Sequence, residues 1–420
     1  MKEHTKLKIF TGSTPNTTEK DLLLAKGILS GAINTKGARE SLKEFFQNTW
    51  EEDIFLFNRG REAVYFLLKN LGLKKDDEII LQAFTCIATV EPILWSKCKP
   101  VFVDIQKNRF NIDLEKLRSS ITPRTRVVLI QHTFGEMVNM KKVREIVESF
   151  NNERDNEEKI FLIEDCAHLF SLTDDRIGKY SDAFFFSFAQ DKAISSTQGA
   201  MLVVKNNNFF SSNLKQEYEE LDELNQREAT YNARYILLWE KIKRFYYILE
   251  IPLIRFSLGK LLILLFRFLG LIKKQAGVNI EKGCNIKKMS EVQAQLLLRQ
   301  LEDWEVFNQH RQDIVTIYED KLKEEYRTSY KKGDTLLRYP VLSEKKNLIR
   351  KILREEKVIV GNWYSSPVYP LAWENLSSVG YVKGSCPNVE TACKDILNLP
   401  TGIEVSKEQA EAITDILNSV

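Results

Sequence analysis

Histidine, paired cysteines and the glycine-rich nucleotide signatures are what this 420-residue sequence has little of, and each shortage excludes a class of chemistry. The four histidines (His4, His132, His168, His310) leave no material for a multi-histidine metal centre, so no metal is expected. The six cysteines (Cys86, Cys98, Cys166, Cys284, Cys386, Cys393) are scattered, with no CxxC pair and no metal-like spacing. No GxGxxG, GxxxxGK[ST], HExxH or GxSxG occurs, which argues against dinucleotide, P-loop, zinc-protease and serine-hydrolase chemistry. Charge of one sign is also missing: a net +3 over this length gives no case for nucleic-acid binding. Met1 is followed by Lys, Glu, His, Thr and Lys, without the apolar core of a signal peptide. The expectation is a reduced, cytoplasmic protein.

What is present is an ordinary globular balance, 43% apolar and 28% charged, on a chain long enough to bury a large core. Between about 54 and 205, short apolar runs alternate with amphipathic ones. Ile54–Phe57, Glu78–Leu81, Pro100–Val103, Val127–Gln131 and Ile160–Ile163 predict buried strands. Glu62–Leu71, Ala88–Lys97, Leu114–Ser119 and Lys141–Phe150 carry helical spacing between them. This alternation predicts an α/β fold with a mostly parallel central sheet, helices on both faces, and a ligand site at the polar ends of the strands. From about Ser290 the pattern changes: Glu291–Leu322 reads as one long helix, followed by a smaller C-terminal α+β domain. Four segments are expected. Residues 1–45 hold a helix candidate at Thr18–Leu29 that packs on the small domain or a partner subunit. A large domain covers 46–230, an insertion 231–280, and the small domain 281–420.

The insertion stands apart in composition. From Arg234 to Lys274 there are nine basic residues, including Arg255, Lys273 and Lys274, against only Glu240 and Glu250, in a background of Leu, Ile, Phe and Tyr. Its longest uncharged run in this reading, Leu261–Phe266, is far below the roughly 20 residues a spanning helix needs, and Pro252 and Gly259 interrupt it. Two readings stand, with a lean to the first: an interfacial helix on an anionic membrane face, or a helical insertion packed on the core or dimer with its cations in solvent.

Three elements carry chemistry. Phe184-Phe185-Phe186-Ser187-Phe188-Ala189-Gln190-Asp191-Lys192 places a lysine after a strand end, in an apolar neighbourhood. Burial favours the neutral amine, the form that attacks an aldehyde, although most lysines after strands are solvated surface groups. Ile163-Glu164-Asp165-Cys166-Ala167-His168 ends an apolar strand in an aspartate that either caps the following turn or reaches a ligand above the sheet. Phe57-Asn58-Arg59-Gly60-Arg61-Glu62 runs from a strand through glycine into a helix, a start whose amides suit a phosphate monoester. Arg61 either adds charge there or is, like Arg59, a surface cation.

Together, in this order, the three elements resemble the DegT/StrS-type nucleotide-sugar aminotransferases, fold-type I enzymes dependent on pyridoxal 5'-phosphate (PLP). Pro100–Ile105, Ile121–Thr125, His132-Thr133-Phe134-Gly135, Met289–Ala294 and Leu399-Pro400 are further landmarks, so the resemblance covers most of the chain outside roughly 208–280. It implies that Lys192 is the Schiff-base lysine and Ser187 the phosphate-binding serine. Asp165 falls at the pyridine-nitrogen aspartate and His168 beside the ring. Gly60, Arg61 and Glu62 stand where relatives have a Gly-Thr-Ser phosphate turn. Cys86 occupies the position of an aromatic that stacks on the ring in many relatives, so either Phe84 moves in or the stacking is lost. Asn285, in Asn285-Ile286-Lys287-Lys288, aligns with an asparagine that reaches the neighbouring subunit's phosphate, without the tyrosine and arginine that follow it in relatives. Implied partners are an amino donor (L-glutamate), a nucleotide-linked keto sugar destined for surface glycans or glycolipids, and a second copy in a homodimer. Three rivals are weighed: a PLP-dependent sugar dehydratase, which Lys192 opposes because dehydrating relatives carry histidine there; a non-catalytic scaffold on the same fold; and an aminotransferase acting on a lipid-linked keto sugar at the inner face of the membrane.

Overall fold

Strands whose residues are buried end to end form the centre of the molecule, as expected for a sheet covered on both faces. The computed structural model describes residues 7–10, 16–205, 213–248, 257–272, 278–280, 283–328, 330–332 and 334–420. Within the basic stretch, Glu250, Pro252, Arg255, Lys273 and Lys274 lie outside the described residues, as does His4.

Eleven strands are described, and β1 to β8 follow in order: Asp53–Phe57, Glu78–Gln82, Thr85–Cys86, Lys99–Val103, Thr125–Gln131, Phe161–Asp165, Ala183–Ser187 and Ala200–Val204. β9 to β11 are Arg338–Leu342, Val368–Tyr369 and Ile396–Pro400. Seven of them make the main sheet in the order β1-β8-β7-β6-β5-β2-β4. β8 pairs antiparallel with β1 and β7, and the other pairings are parallel. The register sets Gln131 beside Asp165, and Phe57 and Ser187 on either side of Ala200. The carboxyl ends of β1, β5, β6 and β7 therefore share one edge of the sheet.

Helices α1 to α7 span Glu19–Ser30, Ala38–Trp50, Gly60–Lys69, Ile87–Trp95, Leu114–Ser120, Met140–Asn151 and Leu214–Glu219. Helices α8 to α14 span Gln226–Phe245, Leu258–Phe268, Glu291–Leu301, Trp304–Lys321, Lys346–Glu355, Pro387–Asp395 and Lys407–Asn418. The strand period of two sorts side chains between the faces. Phe185 joins the cluster under α3 and α4, whereas Phe184 and Phe186 pack with α2 and α10. Val128, Ile130 and Leu162 meet α5 and α6. Gly178 shows how close this packing is: at φ +73, a Cβ there would lie 2.4 Å from the Phe184 ring.

The expected single helix over Glu291–Leu322 is two helices. α10 stops at Leu301 and α11 restarts at Trp304, with Asp303 at φ −118 between them. Arg299, on the last turn of α10, pairs with Glu302 and Asp303 and holds that corner. Apolar spacing continued across the break, which is why periodicity alone did not reveal it. The predicted helix at Thr18–Leu29 appears one residue later as α1, with Thr18 as its cap and Asp21 closing a capping box. It lies on α8 and α10, burying Ala25 and Ile28 against Ala233, Ile236, Val292 and Leu296.

Beyond α11, the antiparallel pair β9–β11 packs under α11, α12 and α14 as a second core. From it the chain reaches back to the main sheet, where β10 adds in parallel to β3. This return places Tyr364 and Tyr369 above the sheet edge.

Candidate active site

Six strands, β1, β2, β4, β5, β6 and β7, end at the carboxyl edge of the sheet, and the residues singled out from the sequence sit mostly on the segments that follow them. Asp165 ends β6 and is buried; its Oδ1 accepts from the Ala167 amide at 2.9 Å and its Oδ2 from Thr89 Oγ1 at 3.3 Å. Burial pushes its carboxyl upward, opposed by the Ala167 bond and the nearby Lys192 charge. Both alternatives for Asp165 are partly realised: one oxygen caps the turn, while the other faces Thr89 in the first turn of α4.

Lys192 lies on the loop after β7, within electrostatic reach of Asp165, Cys86 and His168. Its loop is fixed by elements remote in sequence. Asn16 Nδ2 donates to the carbonyls of Lys192 and Ala193 at 2.7 and 3.0 Å, and Arg311 donates to Ala193 at 2.8 Å. Gln300 accepts from the Ser195 amide, and Thr197, at φ +67, donates to Asn232 of α8 at 2.6 Å.

His168 is buried, and burial together with the Lys192 charge holds its imidazole well below the usual histidine range, so the ring is neutral. Its Nδ1 accepts from the Phe134 amide at 3.1 Å, which leaves the proton on Nε2 to donate to Tyr364 Oη, also at 3.1 Å. Phe134 takes φ +58 to aim that amide, and Gly135 follows at φ +101, where a Cβ would collide with Thr335 O at 2.5 Å. Behind Asp165, His132 Nδ1 accepts from the Val138 amide, so its Nε2 donates to Glu164 at 3.1 Å. His132, Glu164 and Cys166 are buried with one ligand-type atom each inside 4.8 Å, but His132's Nε2 proton already occupies the position a metal would take.

The start of α3 forms the third side. Gly60 and Arg61 are its first residues, and the amides of a first turn have no helical acceptor. A Cβ on Gly60 would lie 3.6 Å from Ser187 Oγ, in ordinary contact, so this hydroxyl stands beside the start of α3. Arg61 turns away to form an ion pair with the buried Glu91. Glu62 also points inward: its carboxylate accepts from Asn58 Nδ2 at 2.9 Å and the Lys287 amide at 3.1 Å, and burial pushes it up to about 7. Cys86 caps α4 through Ala88, and its thiol is raised by burial. Phe84 stays in an aromatic cluster with Phe110, Phe134 and Tyr364. Asn285 donates to Asp222 at the surface. Thus Lys192, Asp165, His168, Cys86, Ser187 and Gly60 come together, while Arg61, Glu62 and Asn285 engage other partners.

Three contributors escaped sequence reasoning. Thr89 sits one turn after Cys86 and had a helical signal only. Asn16 and Tyr364 had none, because the one lies far upstream and the other returns on the segment between α12 and β10.

As a receptor for PLP the residues fit. First-turn amides with a serine hydroxyl beside them suit a phosphate. A buried carboxylate suits a ring nitrogen that carries a proton.

Comparison with known proteins identifies the family. The model of the DegT/DnrJ/EryC1/StrS aminotransferase family matches residues 32–228 and 260–418. GDP-perosamine synthase of Vibrio cholerae is 28% identical over 148 residues, 35% of this chain and 38% of that protein, so the alignment spans well under half of the relative. The dTDP-4-amino-4,6-dideoxy-D-glucose transaminase of Shigella dysenteriae is 26% identical over 88% of this chain and 86% of its own. The Bacillus subtilis protein NtdA, solved with bound cofactor PMP, superposes with a TM-score of 0.69 at 20% identity, covering 99% of this chain and 85% of its own. The fold is that of fold-type I PLP-dependent enzymes, and with more than half its length matched the chain belongs to the DegT/DnrJ/EryC1/StrS aminotransferase family.

Proposed function

We propose that this protein is a PLP-dependent aminotransferase that moves an amino group from an amino acid, L-glutamate, to the ketone of a nucleotide-linked sugar, working as a homodimer in amino-sugar synthesis for surface glycans. The observation that carries the reading is the convergence of Lys192, Asp165, Ser187 and the start of α3 on one sheet edge. The nucleotide-linked amino sugars in the names of the Vibrio and Shigella relatives, and the PMP bound to NtdA, support it.

When bound, PLP supplies an aldehyde for amines and a ring that takes up an electron pair. The remaining work falls to the chain. Ser187 and the first amides of α3 hold the phosphate, with backbone dipoles in place of the Arg61 charge. Asp165, braced by Thr89 and Ala167, keeps a proton on the ring nitrogen; its desolvation makes that cation the partner it gains most from. The Lys192 amine takes the proton from the donor's α-carbon and returns one on the acceptor half, as base and then acid. The bonds from Asn16, Arg311, Gln300 and Asn232 fix the loop that carries it. His168 spends its Nε2 proton on Tyr364, so the Tyr364 hydroxyl proton is free to meet an acceptor in the pocket.

Visible absorbance of the purified protein with PLP, before and after L-glutamate and beside Lys192→Ala, tests this reading. A cofactor band that glutamate bleaches, absent from the variant, is the expected result. A band that glutamate leaves unchanged rejects the donor, and no band rejects the cofactor assignment.

A further inference from the structure

One helix of this chain is apolar on both sides. α9 turns Leu262, Ile263 and Phe266 onto Tyr235, Trp239 and Ile242 of α8. Gly259 permits that close crossing, since a Cβ there would lie 2.4 Å from Tyr246 Cα. The opposite side should then be polar. Instead it presents Leu261, Leu264, Leu265, Phe268 and Leu269, at spacings of three and four, exposed by 44, 60, 44, 89 and 55%. A second apolar stripe with this exposure marks a surface that something covers.

Charge identifies the occupant. From Lys241 to Ile272 the sequence holds six basic residues and one acidic one, Glu250, although acidic residues outnumber basic ones outside the 234–274 stretch. Lys241, Arg244, Lys260 and Arg267 are all exposed. A second copy docked face to face would set these cations against themselves, which opposes association. An anionic bilayer presents negative charge beside hydrocarbon and matches both features. With 11 residues, α9 is about 16 Å long, far short of a span, and among the described residues no helix is long and apolar enough to cross a membrane. The family match, moreover, breaks over 229–259, most of α8 and the approach to α9, so the family model does not account for the helix that α9 packs on.

We infer that the outer face of α9 lies flat on anionic membrane surfaces, with its leucines and Phe268 in the acyl boundary and Lys260 and Arg267 among the headgroups. Helix α8 is also tied to the candidate site through the Asn232–Thr197 bond, so the pocket is carried at a fixed place relative to the bilayer. The inference does not depend on the reaction proposed above.

Flotation of the full-length, PLP-loaded protein tests it, with vesicles of phosphatidylcholine alone or mixed with phosphatidylglycerol. Binding should rise about tenfold with the anionic lipid and fall at high salt. Leu264→Glu/Phe268→Glu should lower it by about tenfold or more, and Lys260→Glu/Arg267→Glu should remove the preference for phosphatidylglycerol. The far-UV circular dichroism and cofactor absorbance of both variants should match the parent protein, so a loss of binding is not a loss of fold or of catalysis. Equal binding to both vesicle types, or a Leu264→Glu/Phe268→Glu protein that floats like the parent, overturns the inference. So does a change of oligomer size in that variant without vesicle binding by the parent, which makes the face a contact between copies.

Discussion

The carboxyl edge of the sheet and the α8–α9 pair hold similar material, aromatic and basic side chains around short elements, but use it in opposite ways. At the sheet edge the buried polar groups are braced: Asp165 by Thr89 and Ala167, His168 by Phe134 and Tyr364, and the Lys192 loop from four separate elements. On α9 an apolar stripe faces outward and the cations are exposed. The first pattern holds reacting groups within narrow limits of position; the second defers its energetic gain to a surface outside the molecule.

Substitutions at the sheet edge should have the largest effects. Lys192→Ala should lower transamination by about 10⁴-fold or more, read as kcat with glutamate and a keto sugar, because it removes both the cofactor anchor and the proton carrier. Asp165→Asn should cost about 10²–10³-fold in kcat while PLP still binds, since the amide keeps the shape but loses the charge that faces the ring proton. If Asp165→Asn leaves kcat intact, the braced carboxylate is only a turn cap.

The same contrast should hold for stability. Phe184→Ala, in the middle of the sheet, should cost about 3–5 kcal/mol in global denaturant unfolding. Ile242→Ala, equally buried but between α8 and α9, should appear mainly as faster amide exchange in α9, with about 1 kcal/mol or less of global change. Equal global costs would show that the α8–α9 pair unfolds with the core.

Glu62 should give a smaller effect that depends on pH. A buried carboxyl whose folded value is raised from 4.5 to about 7 binds its proton more tightly when folded. Stability from this source is present in full below 4.5 and is lost as pH rises through 7, by about 3 kcal/mol at most. Relative to the parent, Glu62→Gln should therefore gain stability between pH 4.5 and 8 in the PLP-free protein, measured by denaturant midpoints. A pH-independent difference contradicts the assigned burial. The smallest effect is expected from Tyr364→Phe, a few-fold loss of kcat/KM from one hydrogen bond worth about 1 kcal/mol.

Strand and helix alternation, and the position of Asp165, Ser187 and Lys192 at or just after strand ends, were readable because each rests on local pattern: apolar runs, a strand end, a short motif. What was not readable depends on contacts between distant segments. The break at Glu302–Asp303 is set by side-chain pairing with Arg299, which apolar spacing does not record. Arg61 was a candidate for the phosphate from its helix start, and Glu62 only through the turn that relatives share; Glu91 and the Lys287 amide, remote in sequence, bind these two side chains. Thr89, Asn16 and Tyr364 join the site only through folding. The cations of the basic stretch were plain in composition, whereas the two-sided apolar character of α9 needed the packing of α8 to show which face was already covered.

Borohydride reduction of the PLP-loaded protein, followed by mass mapping of its peptides, tests the central assignment most directly. Cofactor fixed on the peptide that contains Lys192, and lost when L-glutamate is added before the reductant, is the predicted result. Cofactor on a different lysine, or on none, contradicts it.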